Sequence, residues 1–295
     1  STSYFLRSGV MFWSGGEQQN ALGTLSVQYK YEDLEQASSG FAEGNKMGSG
    51  SYGAVYKGVL KDGTSVALKV FNPGTLDDAG FDDEVRVLSK FRHPNLVILL
   101  GYCQQTRHIL VYELLAGGDV QKRLEKAAIL PFLWQQRLSV ALDACTGLSH
   151  MLNANPKAFH RDIKTPNILL DRNGTAKMAD FGLACCSRLD QLYKTCAMVA
   201  GTPGYACPHY ISTGRVTEAS EVFAFGMVLI ELLTARPPAA PGANGQPMML
   251  IWYLNMATPG AKDRLTALTD RYAEFPQPVL SAVADLALSC IQDNQ

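Results

Sequence analysis

His160-Arg161-Asp162-Ile163-Lys164-Thr165-Pro166-Asn167 is the stretch whose reading decides what the rest of the chain is for. A carboxylate, a cation and an amide fall close together in it, at Asp162, Lys164 and Asn167. Phosphoryl transfer to a hydroxyl needs a carboxylate that orients the hydroxyl and accepts its proton, and a nearby oxygen ligand for a metal. Downstream, Asp180-Phe181-Gly182 adds a second metal carboxylate on a glycine hinge, and Gly201-Thr202 and Pro208 close the segment. A hard Mg²⁺ takes such oxygen ligands and shares its other positions with nucleotide oxygens.

Upstream of this stretch, Gly48-Ser49-Gly50-Ser51-Tyr52-Gly53 fits GxGxxG and is followed by Val55. Alone it is equally well read as an ordinary glycine hairpin. In a dinucleotide fold the glycines open a helix, with an acidic residue about twenty further on. Here a Val-rich strand follows instead, so a flap lying over phosphates is the better reading and a flavin or NAD enzyme a distant one. Lys69 ends the run Val66-Ala67-Leu68-Lys69, and Glu84 lies on a helical pattern beginning near Phe81. Singly, these are a strand-edge charge and a solvated helix face shared with Asp82 and Asp83. Their order relative to Asp162, Asn167 and Asp180 is what makes a phosphate-handling set of them.

The composition agrees. The 295 residues fit two packed lobes or one large domain, and 47% of them are hydrophobic, too many for a disordered tail. Lys and Arg number 26 against 27 Asp and Glu, a net charge of −1 that argues against nucleic-acid or anionic-membrane binding. Seven cysteines without a CxxC pair point to a reducing, cytoplasmic setting, and the sparse histidines to no zinc site. No apolar run is long enough to span a bilayer.

Residues 1–28 read as a preface or linker, 31–37 as a short helix, and Asp62-Gly63 as a hairpin turn between strands. Strands are expected near 45–47, 54–58, 65–70, 96–100 and 109–112, making five in the first lobe. Helices are expected over 81–91, 119–127, 134–153, 218–235 and 278–291. Residues 236–247, rich in Pro and Gly, form a loop. The division is a strand-rich part followed by a helical part, changing near Gly117.

With these motifs in order, the sequence resembles the protein kinases, and among them the receptor-like/Pelle group that includes interleukin-receptor-associated kinases. The likeness runs from about Tyr29 to the last residue. It also rests on Tyr31-Glu32-Asp33-Leu34-Glu35-Gln36-Ala37 with Gly40-Phe41, on His93-Pro94-Asn95-Leu96-Val97, and on Leu110-Val111-Tyr112-Glu113. The resemblance implies an α+β, bilobal protein-kinase fold, with a kinase domain over 29–295 divided into an N-lobe (29–115) and a C-lobe (116–295). It implies ATP and Mg²⁺ as cofactors, Ser/Thr hydroxyls of a protein substrate as acceptors, and an upstream receptor or activating kinase as partner. The chain would then be cytoplasmic, or the intracellular part of a membrane receptor.

The roles it implies follow position by position. Lys69 binds nucleotide phosphates and pairs with Glu84. Asp162 is the base, Lys164 lies near the transferred phosphate, and Thr202 hydrogen-bonds both. Asn167 and Asp180 hold Mg²⁺. Gly48, Gly50, Ser51 and Gly53 cover the phosphates; Val55 and Ala67 above and Leu169 below sandwich the adenine. Tyr112 lies at the back of that pocket, and Glu113 to Leu115 form the hinge. Arg161 suggests regulation by a phosphate in the activation segment, where Ser187, Tyr193 and Thr195 are acceptors and Thr195 is favoured.

Two departures from the family pattern support an alternative reading, a catalytically weak pseudokinase-like interaction module. Cys207-Pro208-His209 stands where the family has Ala-Pro-Glu, whose Glu pairs with a late Arg expected beyond Gln295. With both partners absent no uncompensated charge is left, but a softer C-lobe is expected, one helix short, with an exposed apolar patch around Val283, Leu286 and Leu288. Glu221 stands where the family has Asp, and its extra methylene is either absorbed or displaces Asp162.

Overall fold

The computed structural model describes residues 27–50, 53–72, 78–188, 191–241 and 247–292. Six strands form the sheet of the first lobe: β1 (Val27–Gln28), β2 (Lys46–Gly50), β3 (Gly53–Val59), β4 (Ser65–Phe71), β5 (Leu99–Gln104) and β6 (His108–Glu113). Their order is β1-β5-β6-β4-β3-β2, and only β1 pairs in parallel, placing Val27 opposite Gly101. The sixth strand corrects the expected five. It comes from the end of the segment read as a preface, whose first 26 residues lie outside the described ones.

Alternation along the strands sorts side chains between two cores. Val66, Leu68 and Val70 of β4 join Ile109 and Val111 of β6 and Leu34 of helix α1 (Tyr31–Ala37) on one face. Phe71, Leu110 and Tyr112 join Phe81, Val85 and Leu88 of helix α2 (Asp78–Lys90) on the other. Lys69 shares the parity of Phe71, so the pleat turns it toward α2. The expected turn is present: the Asp62 carboxylate accepts the Thr64 N–H at 2.9 Å, and Gly63 has φ 84°. At Gly53 a Cβ would lie 2.1 Å from the Val70 carbonyl oxygen, so no other residue lets β3 come this close to β4.

The strand expected over 96–100 begins only at Leu99. The backbone before it is committed to the second lobe. Val97 N–H donates to the Met178 carbonyl and Met178 N–H to that of Asn95, both at 2.9 Å, and the Asn95 amide donates to Ala176. The loop thus ties the lobes together.

The second lobe is mainly helical. It comprises α3 (Val120–Glu125), α4 (Trp134–Leu152), α5 (Pro208–Thr213), α6 (Glu218–Thr234), α7 (Leu250–Leu254), α8 (Ala261–Ala267) and α9 (Gln277–Cys290). Short strands between them frame the loops of the site: β7 (Gly118–Asp119), β8 (Ala158–Phe159), β9 (Ile168–Leu170), β10 (Ala176–Met178), β11 (Cys185–Cys186), β12 (Tyr193–Thr195) and β13 (Arg215–Thr217). Helix α6 starts on a capping box in which Thr217 and Ser220 bond each other's backbone N–H. It is buried along most of its length, and Gly226 lets α9 approach, since a Cβ there would lie 2.7 Å from that of Cys290. The expected apolar patch on α9 is not formed. Leu288 is buried against the core, Val283 packs on it half-buried, and only Leu286 faces solvent. Among the described residues no helix is long and apolar enough to cross a membrane.

Candidate active site

The cleft between the lobes gathers side chains from five separate stretches. From β4, the Lys69 ammonium donates to Glu84 Oε2 of α2 and to Asp180 Oδ1, each at 2.7 Å. Glu84 is 1% exposed, and its other oxygen accepts the Phe181 N–H at 3.1 Å. Burial works against the charge on Lys69, yet the two carboxylates outweigh it and hold the ammonium's pKa above the usual range. Burial likewise opposes ionisation of Asp180, and Lys69 outweighs it, so Asp180 is held below the ordinary carboxylate range.

Residues 160–167 loop out between β8 and β9, and Asp180 follows β10 on a neighbouring loop. Arg161 and Asp180 both have positive φ, 70° and 63°. The buried His160 ring packs on Phe181 with centroids 4.7 Å apart, and its Nε2 meets the Ala179 carbonyl at 3.1 Å. Burial lowers the His160 pKa, consistent with a neutral imidazole that braces the loop.

At the centre, Asp162 Oδ1 accepts the Thr202 hydroxyl at 2.7 Å, while Lys164 approaches Asp162 Oδ2 at 2.7 Å and Thr202 Oγ1 at 2.8 Å. Carboxylate, ammonium and hydroxyl therefore close a three-membered ring of contacts. The Asn167 amide nitrogen donates to the Asp162 carbonyl at 2.9 Å and to Oδ2 at 3.1 Å, which turns Asn167 Oδ1 away as a free hard donor. Asp180 uses Oδ1 for Lys69, leaving Oδ2 for a second oxygen ligand. Two hard oxygens suit Mg²⁺, which binds through few protein ligands and keeps waters and phosphate oxygens.

The other predicted positions fall as follows. Gly48 and Gly50 lie on β2 and Gly53 on β3, with Gly50 opposite Gly53; Ser51 lies outside the described residues. Val55 pairs with Lys69 and Ala67 with Tyr112 in the sheet, while Leu169 on β9 belongs to the other lobe. Tyr112 and Leu115 are buried. The Glu113 side chain does not enter the cleft: it accepts the Ile98 N–H at 2.9 Å and Lys177 Nζ at 2.7 Å, a tie between lobes. Arg161 is already occupied, by the Tyr210 hydroxyl and the carbonyls of Leu183 and Met198. Tyr193 and Thr195 are exposed on β12, but Ser187 is 7% exposed, which corrects its reading as an accessible acceptor.

The question raised at Glu221 is answered, and two further contacts were not visible in sequence. Glu221 Oε2 and Oε1 accept the backbone N–H groups of His160 and Arg161 at 2.6 and 3.1 Å, so the extra methylene is absorbed. Tyr205 donates its hydroxyl to the buried Glu231 of α6. Arg137 of α4, fully buried, pairs with Asp270 and donates to the carbonyls of Phe132 and Leu232. The one available signal was an isolated charge in an apolar run, as at Glu231 in Leu229-Ile230-Glu231-Leu232-Leu233.

Comparison with known proteins gives this geometry a context. Residues 41–294 match the sequence family described as protein tyrosine and serine/threonine kinase. Over 228 residues, 76% of the chain, it is 39% identical to the proline-rich receptor-like protein kinase PERK12 of Arabidopsis thaliana, covering 32% of that protein. It is 42% identical over 217 residues to the receptor-like protein kinase THESEUS 1 of the same plant, covering 72% of the chain and 25% of that relative. With the probable serine/threonine-protein kinase PBL16, also from Arabidopsis thaliana, it shares 35% identity over 284 residues, 91% of the chain and 69% of the relative. The chain spans about a third of the length of the first of these relatives.

Proposed function

The chain belongs to the protein tyrosine and serine/threonine kinase family, and from that premise we propose that it transfers the γ-phosphoryl group of MgATP to Ser or Thr hydroxyls of proteins. The observation that carries this reading is the ring of Asp162, Lys164 and Thr202, with Asn167 bonded to the same carboxylate. Asp162 Oδ1, now accepting a threonine hydroxyl, is where an incoming substrate hydroxyl would be oriented and its proton received. Lys164 stands beside it to meet charge growing on the transferred phosphoryl. Lys69, fixed by Glu84 and Asp180, holds the nucleotide phosphates, and Val55, Ala67, Leu169, Tyr112 and Leu115 enclose the base. Mg²⁺, held by Asn167 and Asp180, supplies charge neutralisation on the phosphates.

A hydroxyl acceptor of the Ser/Thr kind is favoured by Lys164 and Thr202, and the name of PBL16 agrees. A cytoplasmic setting, as the intracellular part of a receptor or as a free kinase answering to one, suits seven thiols of which none is in a disulfide. The pseudokinase reading gains nothing from the geometry, because Glu221 makes both loop hydrogen bonds. The deciding assay is transfer of radiolabelled phosphate from ATP to a generic Ser/Thr protein substrate, with Asp162→Asn as control. Wild-type transfer should exceed the control by about 10²-fold or more; equal rates would reject the enzyme reading.

A further inference from the structure

Four cysteines lie between Asp180 and Pro208, and the fold brings two of them together. Cys185 starts β11, opposite Phe159, while Cys196 follows β12 and donates its N–H to the Gly214 carbonyl at 2.9 Å. Arg161 fastens both ends: Nη1 holds the Leu183 carbonyl at 3.0 Å and Nη2 that of Met198 at 2.7 Å, two residues before one cysteine and two after the other. Cys185 is buried, Cys196 is half-buried against the same core, and the Cys196 thiol is the hydrogen-bonding and electrostatic neighbour of the Cys185 thiol. Cys186, the next residue of β11, is turned by the strand's alternation to the opposite face from Cys185, and its charged neighbours are Lys90, Arg86 and Asp83 of α2 and Lys194 of β12. The pairing is therefore specific.

We propose that Cys185 and Cys196 are a modification site, joined in a reversible disulfide when the protein meets a peroxide. Cys196, the more accessible, reacts first. Its thiolate sulfur takes one oxygen from hydrogen peroxide as the O–O bond breaks and hydroxide leaves, giving a sulfenic acid. The Cys185 sulfur then attacks that sulfur; the S–S bond forms, the S–O bond breaks and water leaves with the Cys185 proton. Together the two thiols lose two electrons and two hydrogens, and one peroxide becomes two waters. Burial pushes the Cys185 thiol well up, which suits it to wait as the resolving partner rather than to react alone. The bond would lock the arrangement in which Arg161 holds Leu183 and Met198, and would slow phosphate addition at Thr195. That consequence rests on the proposed kinase reading; the bond itself does not.

The test uses the full chain, reduced and then exposed to hydrogen peroxide, with remaining thiols capped by N-ethylmaleimide. Trypsin cuts after Lys177, Arg188, Lys194 and Arg215 and so separates the cysteines into peptides 178–188 and 195–215. These peptides should be recovered linked, lighter than their sum by two hydrogens, from wild type and C186A. Linkage should be lost in C185A and C196A and reversed by dithiothreitol. Cys196 is half-buried and outside any helix, so C196A keeps the test open if C185A does not fold. Linkage surviving in C196A, linkage lost in C186A, or no linkage while the exposed Cys145 is oxidised would each overturn the proposal. Absence of kinase activity leaves the linked peptides unaffected, so the two failures are distinguishable.

Discussion

Glu221 receives the backbone N–H of His160 at 2.6 Å, and through its second oxygen that of Arg161 at 3.1 Å, so one side chain of α6 anchors the loop that carries Asp162. Glu221→Ala would leave two N–H groups without partners, at about 1–3 kcal/mol each. Part of this is offset by removing a carboxylate that burial pushes up to about 7. Urea denaturation should show a net loss of about 2–4 kcal/mol. Turnover should fall by about 10²-fold, because Asp162 loses its placement. A variant as stable and as active as wild type would show that the anchor is dispensable.

Glu231 provides a pH signature. It is buried in α6 beneath the Tyr205 hydroxyl, and burial pushes it up to about 7 from the ordinary 4.5. The folded state keeps this proton over an interval in which the unfolded chain has lost it. The contribution to stability is therefore full below about pH 4.5 and is lost as pH rises through 7. At its limit the change is on the order of 3 kcal/mol. Glu231→Gln removes the titration but keeps an acceptor for Tyr205. The stability difference between wild type and E231Q, followed by urea titration from pH 5 to 8, should shift against wild type as pH rises; a constant difference would reject the assignment.

Lys69 stands between two carboxylates, and Glu84 is almost wholly out of solvent. Lys69→Met should lower phosphoryl transfer by about 10²–10³-fold and destabilise the fold by about 3–5 kcal/mol, because a buried carboxylate is left unpaired. Adding Glu84→Gln should restore much of the stability and none of the transfer. Calorimetry and the radiolabelled assay on the same two variants separate these roles.

How much of this was legible in the sequence depended on how far apart the partners lie. The residues 160–167 could be read because the chemistry fixes residue types within one loop, and the β4 alternation placed Lys69 because a period of two is local. Arg137 shows the opposite case. In Gln135-Gln136-Arg137 nothing marks it out, yet it is fully buried and paired with Asp270, far along the chain. Ser187, named with the acceptors of the activation segment, follows β11 and is buried, its N–H on the Lys157 carbonyl at 2.8 Å. The α9 patch failed for the same reason, since Leu288 is buried in the core and α9 lies close against Gly226 of α6, an approach that no periodicity announces. Glu113, expected in the hinge, has its carboxylate on Lys177, a partner set by the closure of the lobes.

The acceptor expected in the activation segment, Thr195, can be tested directly. Thr195 is exposed and lies directly opposite Arg215 in the β12–β13 pair, where opposed side chains share a face. Arg215 also stacks over the Tyr193 ring, 5.2 Å from its centroid. Arg161, by contrast, has its guanidinium on Tyr210 and two carbonyls. A phosphate on Thr195 would therefore meet Arg215 before Arg161, with a charge-assisted bidentate pair as the gain. Mass spectrometry after incubation with MgATP should find phosphate at Thr195 and none at the buried Ser187. Thr195→Ala should abolish the gain in activity that incubation brings. Arg215→Ala should leave the phosphate in place but reduce that gain, while basal transfer stays as in the unphosphorylated wild type. Phosphate on Ser187, or a gain untouched by both substitutions, would move regulation to another part of the segment.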